Sequence, residues 1–177
     1  MKYPYLCQTS EGTLPFLSIR LLLAWKIQSH KQQWPIIQTA VDDLESFYWI
    51  LIWAIAHILK DQKKATGYDP GIDIILDIFL GDVESQAYKE SIVHTWWNST
   101  VFGGLFKEWM DIFQQARQDL PTFSQNFFKV SSDSQKQEEA CNELESYCMT
   151  TYKNVLESGF RHLKQVREHP NWDKVVL

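Results

Sequence analysis

Asp42-Asp43-Leu44-Glu45-Ser46-Phe47-Tyr48-Trp49-Ile50-Leu51-Ile52-Trp53 continues through Ala54, Ile55, Ala56, His57 and Ile58 to Leu59. Asp42, Asp43 and Glu45 suit the positive end of a helix dipole, and Lys60 suits the negative end. Thr39-x-x-Asp42 supplies a cap, with the threonine hydroxyl accepting from an unpaired N–H. The spacing therefore predicts a helix over about 40–60. From Phe47 to Leu59 that helix is apolar on every side, whereas an amphipathic surface helix would keep a polar face. It is expected to lie in the middle of an all-α domain as its least exposed element, with Ile50 and Trp53 in the core. His57, late in the run, reads as a satisfied core histidine, since no acid or nucleophile is placed with it.

The flanking segments read as further helices. Residues 1–15 are irregular, punctuated by Pro4, Gly12 and Pro15. Phe16 to Gln28 places Leu17, Leu21, Ala24 and Ile27 near one helical face, and Trp34-Pro35 breaks the next stretch. Beyond the central helix, Asp69-Pro70-Gly71 reads as a turn. Ile72, Ile75, Leu76 and Phe79 then mark a short helix stopped by Gly81. Asp82 is expected to cap a helix reaching about Trp96. Gly103-Gly104 introduces another, whose stripe is Leu105, Trp109, Ile112, Phe113 and Ala116 and whose end is Leu120-Pro121. After the Ser131-Ser132-Asp133-Ser134 loop, Ser134-x-x-Gln137 reads as a capping box for a last long helix. That helix carries the stripe Cys141, Leu144, Cys148, Tyr152, Val155, Gly159, Leu163 and Val166. No alternation of the strand type runs longer than about four residues.

At 177 residues the chain suits one domain, and its eight Trp and ten Phe favour a packed globule over disorder. A net charge of −5 argues against nonspecific nucleic-acid binding, which needs a basic face. Lys60, Lys63 and Lys64 read as a solvated helix end. Three cysteines suggest no disulfide framework. Cys141 and Cys148 lie roughly 10 Å apart along one helix, too far to bridge, and inert burial is expected for them and for Cys7. The five histidines show no ligand spacing, so no metal is expected. The N-terminus lacks a secretory pattern and the apolar run is shorter than the roughly 20 residues of a membrane span. A soluble intracellular protein without membrane contact is the expectation. Asn98-Ser99-Thr100, which matches a glycosylation sequon, then reads as a helix-ending loop.

Two motifs carry more than periodicity. Gly12-Thr13-Leu14-Pro15-Phe16-Leu17-Ser18-Ile19-Arg20 resembles the end of a protein-kinase activation segment, and Asp42-Asp43-Leu44-Glu45-Ser46-Phe47 resembles the start of the central helix of a kinase C-terminal lobe. In this wording the pair resembles the fungal-type protein kinase family over about residues 11–59. The resemblance implies one partial kinase-like domain: activation-segment end at 11–22, central helix at about 40–60, and remaining C-lobe helices to about 167. The Gly-rich loop, strand lysine, catalytic loop and metal-binding motif of kinases are not found in the sequence. The implied chain is thus a non-catalytic lobe fragment that takes no cofactor itself, although intact family members use ATP and Mg. The alternatives are a free-standing helical protein-interaction module and an unrelated helical protein.

The resemblance also implies roles for single residues. Gly12, Thr13, Leu14, Pro15 and Phe16 would form the loop that receives substrate, with Thr13 as the hydroxyl beside the catalytic Asp of an intact relative. Thr13 reads equally as a turn threonine bonding its own backbone. Asp43 would hold the catalytic loop from beneath or, in its absence, cap its own helix. Ser18-Ile19-Arg20 departs from the usual Ala-Pro-Glu and reverses the charge of the Glu, so Arg20 is expected to seek an acid such as Asp111 or Asp119. Leu14, Phe16 and neighbouring aromatics are expected to leave an apolar patch where the missing kinase parts would sit, covered by refolding of residues 1–10 over it, by self-association or by a protein partner.

Overall fold

The structure is a computed structural model. It describes residues 16–28, 37–63, 70–81, 89–91, 93, 102–130 and 132–168. Among these residues the chain is all-helical, with no strand. The principal elements are α1 (Ile19–Gln28), α2 (Ala40–Lys63), α3 (Pro70–Leu80), α4 (Gly103–Lys129) and α5 (Ser134–Arg167), and Lys89, Glu90 and Ser91 are also helical. The helix expected from Asp82 to Trp96 lies mostly outside the described residues, as do Trp34-Pro35 and the sequon.

Among the described residues, α2 is central but covered on one side only. It packs on α3, α4 and α5. The face they cover carries Val41, Tyr48, Trp49, Ile52, Ile55 and Ala56, all buried. Tyr48 is the hub of this face. Its ring lies 4.8 Å from Trp49, 5.7 Å from Phe106 and 5.6 Å from Phe113, and its hydroxyl donates to the Phe106 carbonyl at 3.5 Å. The opposite face was expected to be buried and is not: Phe47, Ile50, Leu51 and Ile58 are exposed. Ile50 therefore leaves the core, Trp53 is half-buried, and His57 is a surface residue with its ring 4.3 Å from that of Trp53. A helix that is apolar all round is buried all round only if neighbours surround it, and α3, α4 and α5 lie along one side.

Several helix boundaries differ from their sequence reading; α1 begins at Ile19 rather than Phe16, and α2 runs to Lys63. Pro70 and Gly71 open α3 rather than turn before it, which suits proline because its missing N–H falls where no intrahelical partner exists. α4 runs through Pro121 instead of ending there. Pro121 is exposed, while Leu120 and Ser124 are buried on either side and Phe123 stacks on Tyr147 at 4.9 Å, so packing on α5 holds the helix together across the missing hydrogen bond. The cap of α5 is Asp133, not Ser134. Its Oδ1 accepts from the N–H groups of Gln135 at 3.2 Å and Lys136 at 3.3 Å.

α4 and α5 form the most extensive helix pair. The buried side of α5 carries Ala140, Leu144, Thr151, Val155 and Ser158. Tyr152 and Leu163, expected on that side, are exposed, and Cys141, Cys148 and Gly159 are half-buried. Trp109 Nε1 donates to the Val155 carbonyl at 3.0 Å, and Glu108 takes Arg161 at 2.9 Å and His162 at 2.7 Å.

Candidate functional site: the joint at the head of the central helix

The resemblance placed its motifs on two segments, and the structure joins them. Leu17 and Ser18 lead into α1, and Ser18, Ile19 and Arg20 lie against the first turns of α2. Asp42 is the centre of the joint. Its carboxylate accepts from Ser18 Oγ at 2.8 Å, from Arg20 Nε at 3.1 Å, from the Thr39 N–H at 2.8 Å and from Thr39 Oγ1 at 2.9 Å, and it is ion-paired with Arg20 NH2. The cap thus runs opposite to the expected sense: the Thr39 hydroxyl donates to Asp42, while the Thr39 carbonyl starts the helix ladder. Arg20 also donates to the Ile37 carbonyl at 2.9 Å. A guanidinium offers donors in a rigid fork, which suits it to bridging a carboxylate and a carbonyl out of water.

One turn further, Glu45 makes the second contact. Its Oε1 accepts from the Ile19 N–H at 2.9 Å, Trp49 Nε1 at 3.1 Å and Arg117 NH1 at 3.3 Å. Arg117, from α4, also pairs with Glu90 at 2.5 Å, and Gln114 donates to the same carboxylate. Burial pushes the Glu45 carboxyl above its ordinary range, opposed by Arg117, the Ile19 N–H, Lys89 and Trp49. Lys89 is fully buried. It donates to the Leu17 carbonyl at 2.8 Å and sits 4.3 Å from the centre of the Trp49 ring. Burial, with Arg117 adding to it and Glu45 opposing, brings its ammonium down to about 7.

Gly12, Thr13, Leu14 and Pro15 lie outside the described residues, so of the five residues expected to form a substrate-receiving loop only Phe16 is described. Phe16 is half-buried, edge-on to Trp53 at 5.9 Å and 6.1 Å from Phe79. It packs on the core and does not contribute an open apolar patch. Asp43 does not cap the helix. It is exposed and accepts from Gln38 Nε2 at 3.0 Å, because its neighbour Asp42 points inward and takes the capping position. Arg20 reaches neither Asp111 nor Asp119: Asp111 is exposed on α4, and Asp119 accepts from Tyr147 Oη at 2.9 Å.

Sequence reasoning missed Glu45, Lys89, Glu90 and Arg117 as members of one cluster. Arg117 carried a signal, since it sits within the apolar stripe of Phe113, Ala116 and Leu120, where an unpaired charge would be costly. Lys89 carried none. Chemically the cluster clamps: each carboxylate oxygen named here takes a donor from the protein itself, an arrangement suited to holding one segment on another. Cys141 and Cys148 are unbridged; burial, then Glu145 and Glu138, pushes the Cys141 thiol up, and burial pushes up that of Cys148 against a hydrogen bond with Thr39, as befits unreactive side chains. Among the described residues no group of three His, Cys, Asp or Glu is placed to hold a metal, and no helix is long and apolar enough to cross a membrane.

Comparison of the chain with protein-family models, with curated proteins and with solved structures returns no match.

Proposed function

We propose that this chain is the helical lower part of a kinase-like C-terminal lobe of the fungal-type protein kinase kind, acting as a non-catalytic, protein-binding lobe. The observation that carries the reading is the joint itself. In such a lobe the end of the activation segment has to be held against the start of the central helix. Here Ser18, Ile19 and Arg20 are fixed to Asp42 and Glu45 in a buried, mutually satisfied network. A positioning device of that kind orders a loop for another protein to meet. ATP and Mg belong to intact relatives, and this chain is expected to transfer no phosphate by itself.

A free-standing helical interaction module is the second reading, and the exposed outer face of α2 favours it. Phe47, Ile50, Leu51 and Ile58 recur at helical spacing along that face. The coding sequence upstream of Met1 separates the two readings. An in-frame His-x-Asp and Asp-Phe-Gly there would make the chain part of an intact kinase-like protein, while a verified transcript start without them removes that support and favours the module. Titration of the purified chain with ATP-Mg in a calorimeter tests the non-catalytic claim. No heat of binding is expected, and micromolar binding would overturn it.

A further inference from the structure

α5 has two apolar faces, and the fold uses one. Opposite the side that meets α4 and α2, Met149, Tyr152, Leu156, Phe160 and Leu163 are all exposed, from 41% for Tyr152 to 71% for Phe160. A depression of about 570 Å³ runs along this face, lined in part by Met149, Tyr152, Leu156 and Phe160. Steps of three and four residues keep the five side chains in one seam, the spacing by which paired helices interdigitate.

The seam is symmetric about its midpoint. Counting outward from Leu156, Phe160 and Tyr152 are each four residues away, and Leu163 and Met149 are each seven. The charges are arranged in the opposite sense. Ahead of the seam lie Glu138, Glu139, Glu143 and Glu145 against the single base Lys136. Lys153 follows within the seam, and beyond its midpoint lie Arg161, Lys164 and Arg167 against Glu157 and Glu168. Some of these are engaged within the chain, Arg161 with Glu108, Lys153 with Glu157 and Lys164 with Glu168. Glu145 and Arg167 are exposed and each stands eleven residues from Leu156, in line with the seam.

We infer that α5 is a self-association surface, and that two copies of the chain pair antiparallel along Met149 to Leu163 about a two-fold axis at Leu156. In that register Leu156 meets Leu156 of the second copy, Tyr152 meets Phe160, Met149 meets Leu163, and Glu145 stands opposite Arg167 twice. A two-fold contact must be self-complementary, and this face is so in both shape and charge. Parallel pairing would instead put the acidic halves together. Five large side chains exposing on the order of 100 Å² each would bury about 1,000 Å² over two copies, at the lower limit of a specific interface. Weak, concentration-dependent association follows. The inference rests on α5 alone and holds whichever reading of the function is right.

Sedimentation equilibrium of the full chain up to about 100 µM tests it, the micromolar regime expected of so small an interface. The average mass is expected to rise from 20.8 kDa towards twice that value. Leu156→Arg, which sets like charges face to face at the axis, should weaken association at least about tenfold with unchanged helical circular dichroism. Glu145→Arg and Arg167→Glu should each weaken it, and the two together should restore it. With Cys7, Cys141 and Cys148 replaced by serine, Leu156→Cys should form an oxidised dimer readily. Phe160→Cys should not, because its copies would stand about 12 Å apart along the axis, beyond disulfide reach. A chain that stays monomeric, association indifferent to Leu156→Arg, failure of the double charge reversal to restore pairing, or equal cross-linking at 156 and 160 would each overturn the inference.

Discussion

Arg20 and Asp42, 22 residues apart, form an ion pair whose side chains are only 8% and 2% exposed. That pair ties the segment entering α1 to the first turn of α2, and both partners have further roles there. Removing one partner of a buried pair leaves an uncompensated charge, a larger loss than the net worth of the pair. Asp42→Ala is therefore expected to lower unfolding stability by about 3–5 kcal/mol. Asp43→Ala, one residue along but exposed, should change it by less than about 0.5 kcal/mol. Urea denaturation of the two variants checks this, and equal effects would place the joint elsewhere.

The face of α2 makes a second test. Ile52 is fully buried and Ile50 is 40% exposed. Ile52→Ala is expected to cost about 2–5 kcal/mol, and Ile50→Ala less than about 1 kcal/mol. The reverse order in denaturation midpoints would mean that α2 is rotated from the orientation described.

Lys89 gives stability a pH dependence. Its folded-state value of about 7 lies below the ordinary 10.5, so between the two the unfolded chain binds more protons. Stability then rises with pH across that window, because the burial penalty on the ammonium is full below about 7 and fades as the folded protein releases the proton. From about pH 7 to about pH 9 the gain should be on the order of 2 kcal/mol. Glu45 and Arg117 act on Lys89 from neighbouring elements, and the raised Glu45 carboxyl works in the opposite sense, lowering stability as pH rises from its ordinary value through its folded one. Urea midpoints measured at both pH values should diverge for the native chain and coincide for Lys89→Met. A native midpoint that does not move with alkali would show Lys89 to be hydrated.

Gly159 tests the fit of α4 on α5. A glycine inside a helix is normally improved by alanine, by roughly 0.5–1 kcal/mol. A Cβ here would meet Trp109 Cζ2 at 3.3 Å, and that indole is tethered by its hydrogen bond to the Val155 carbonyl. Gly159→Ala is expected to bring no gain in thermal midpoint. A clear rise would show that Trp109 is able to move aside.

The existence of the principal helices was legible locally, because periodicity, capping residues and the Gly81 stop act within a few residues of one another. The all-α class and the inward faces of α3 and of the first part of α4 followed from the same short-range rules, with Ile72, Ile75, Leu76, Phe79, Leu105 and Phe113 as expected. Tertiary contact decided the rest. Which side of α2 is covered depends on where α3, α4 and α5 lie, and an all-apolar helix carries no mark of it. Whether Pro121 ends a helix depends on the burial of Leu120 and the packing of Phe123 against Tyr147 of α5, not on proline alone. The choice of Asp42 over Asp43 for the joint, and the gathering of Glu45, Lys89, Glu90 and Arg117 with it, depend on the direction in which a side chain points and on which charges meet out of water. That energy is set by burial and distance in space, and neither is written in the spacing of residues along the chain.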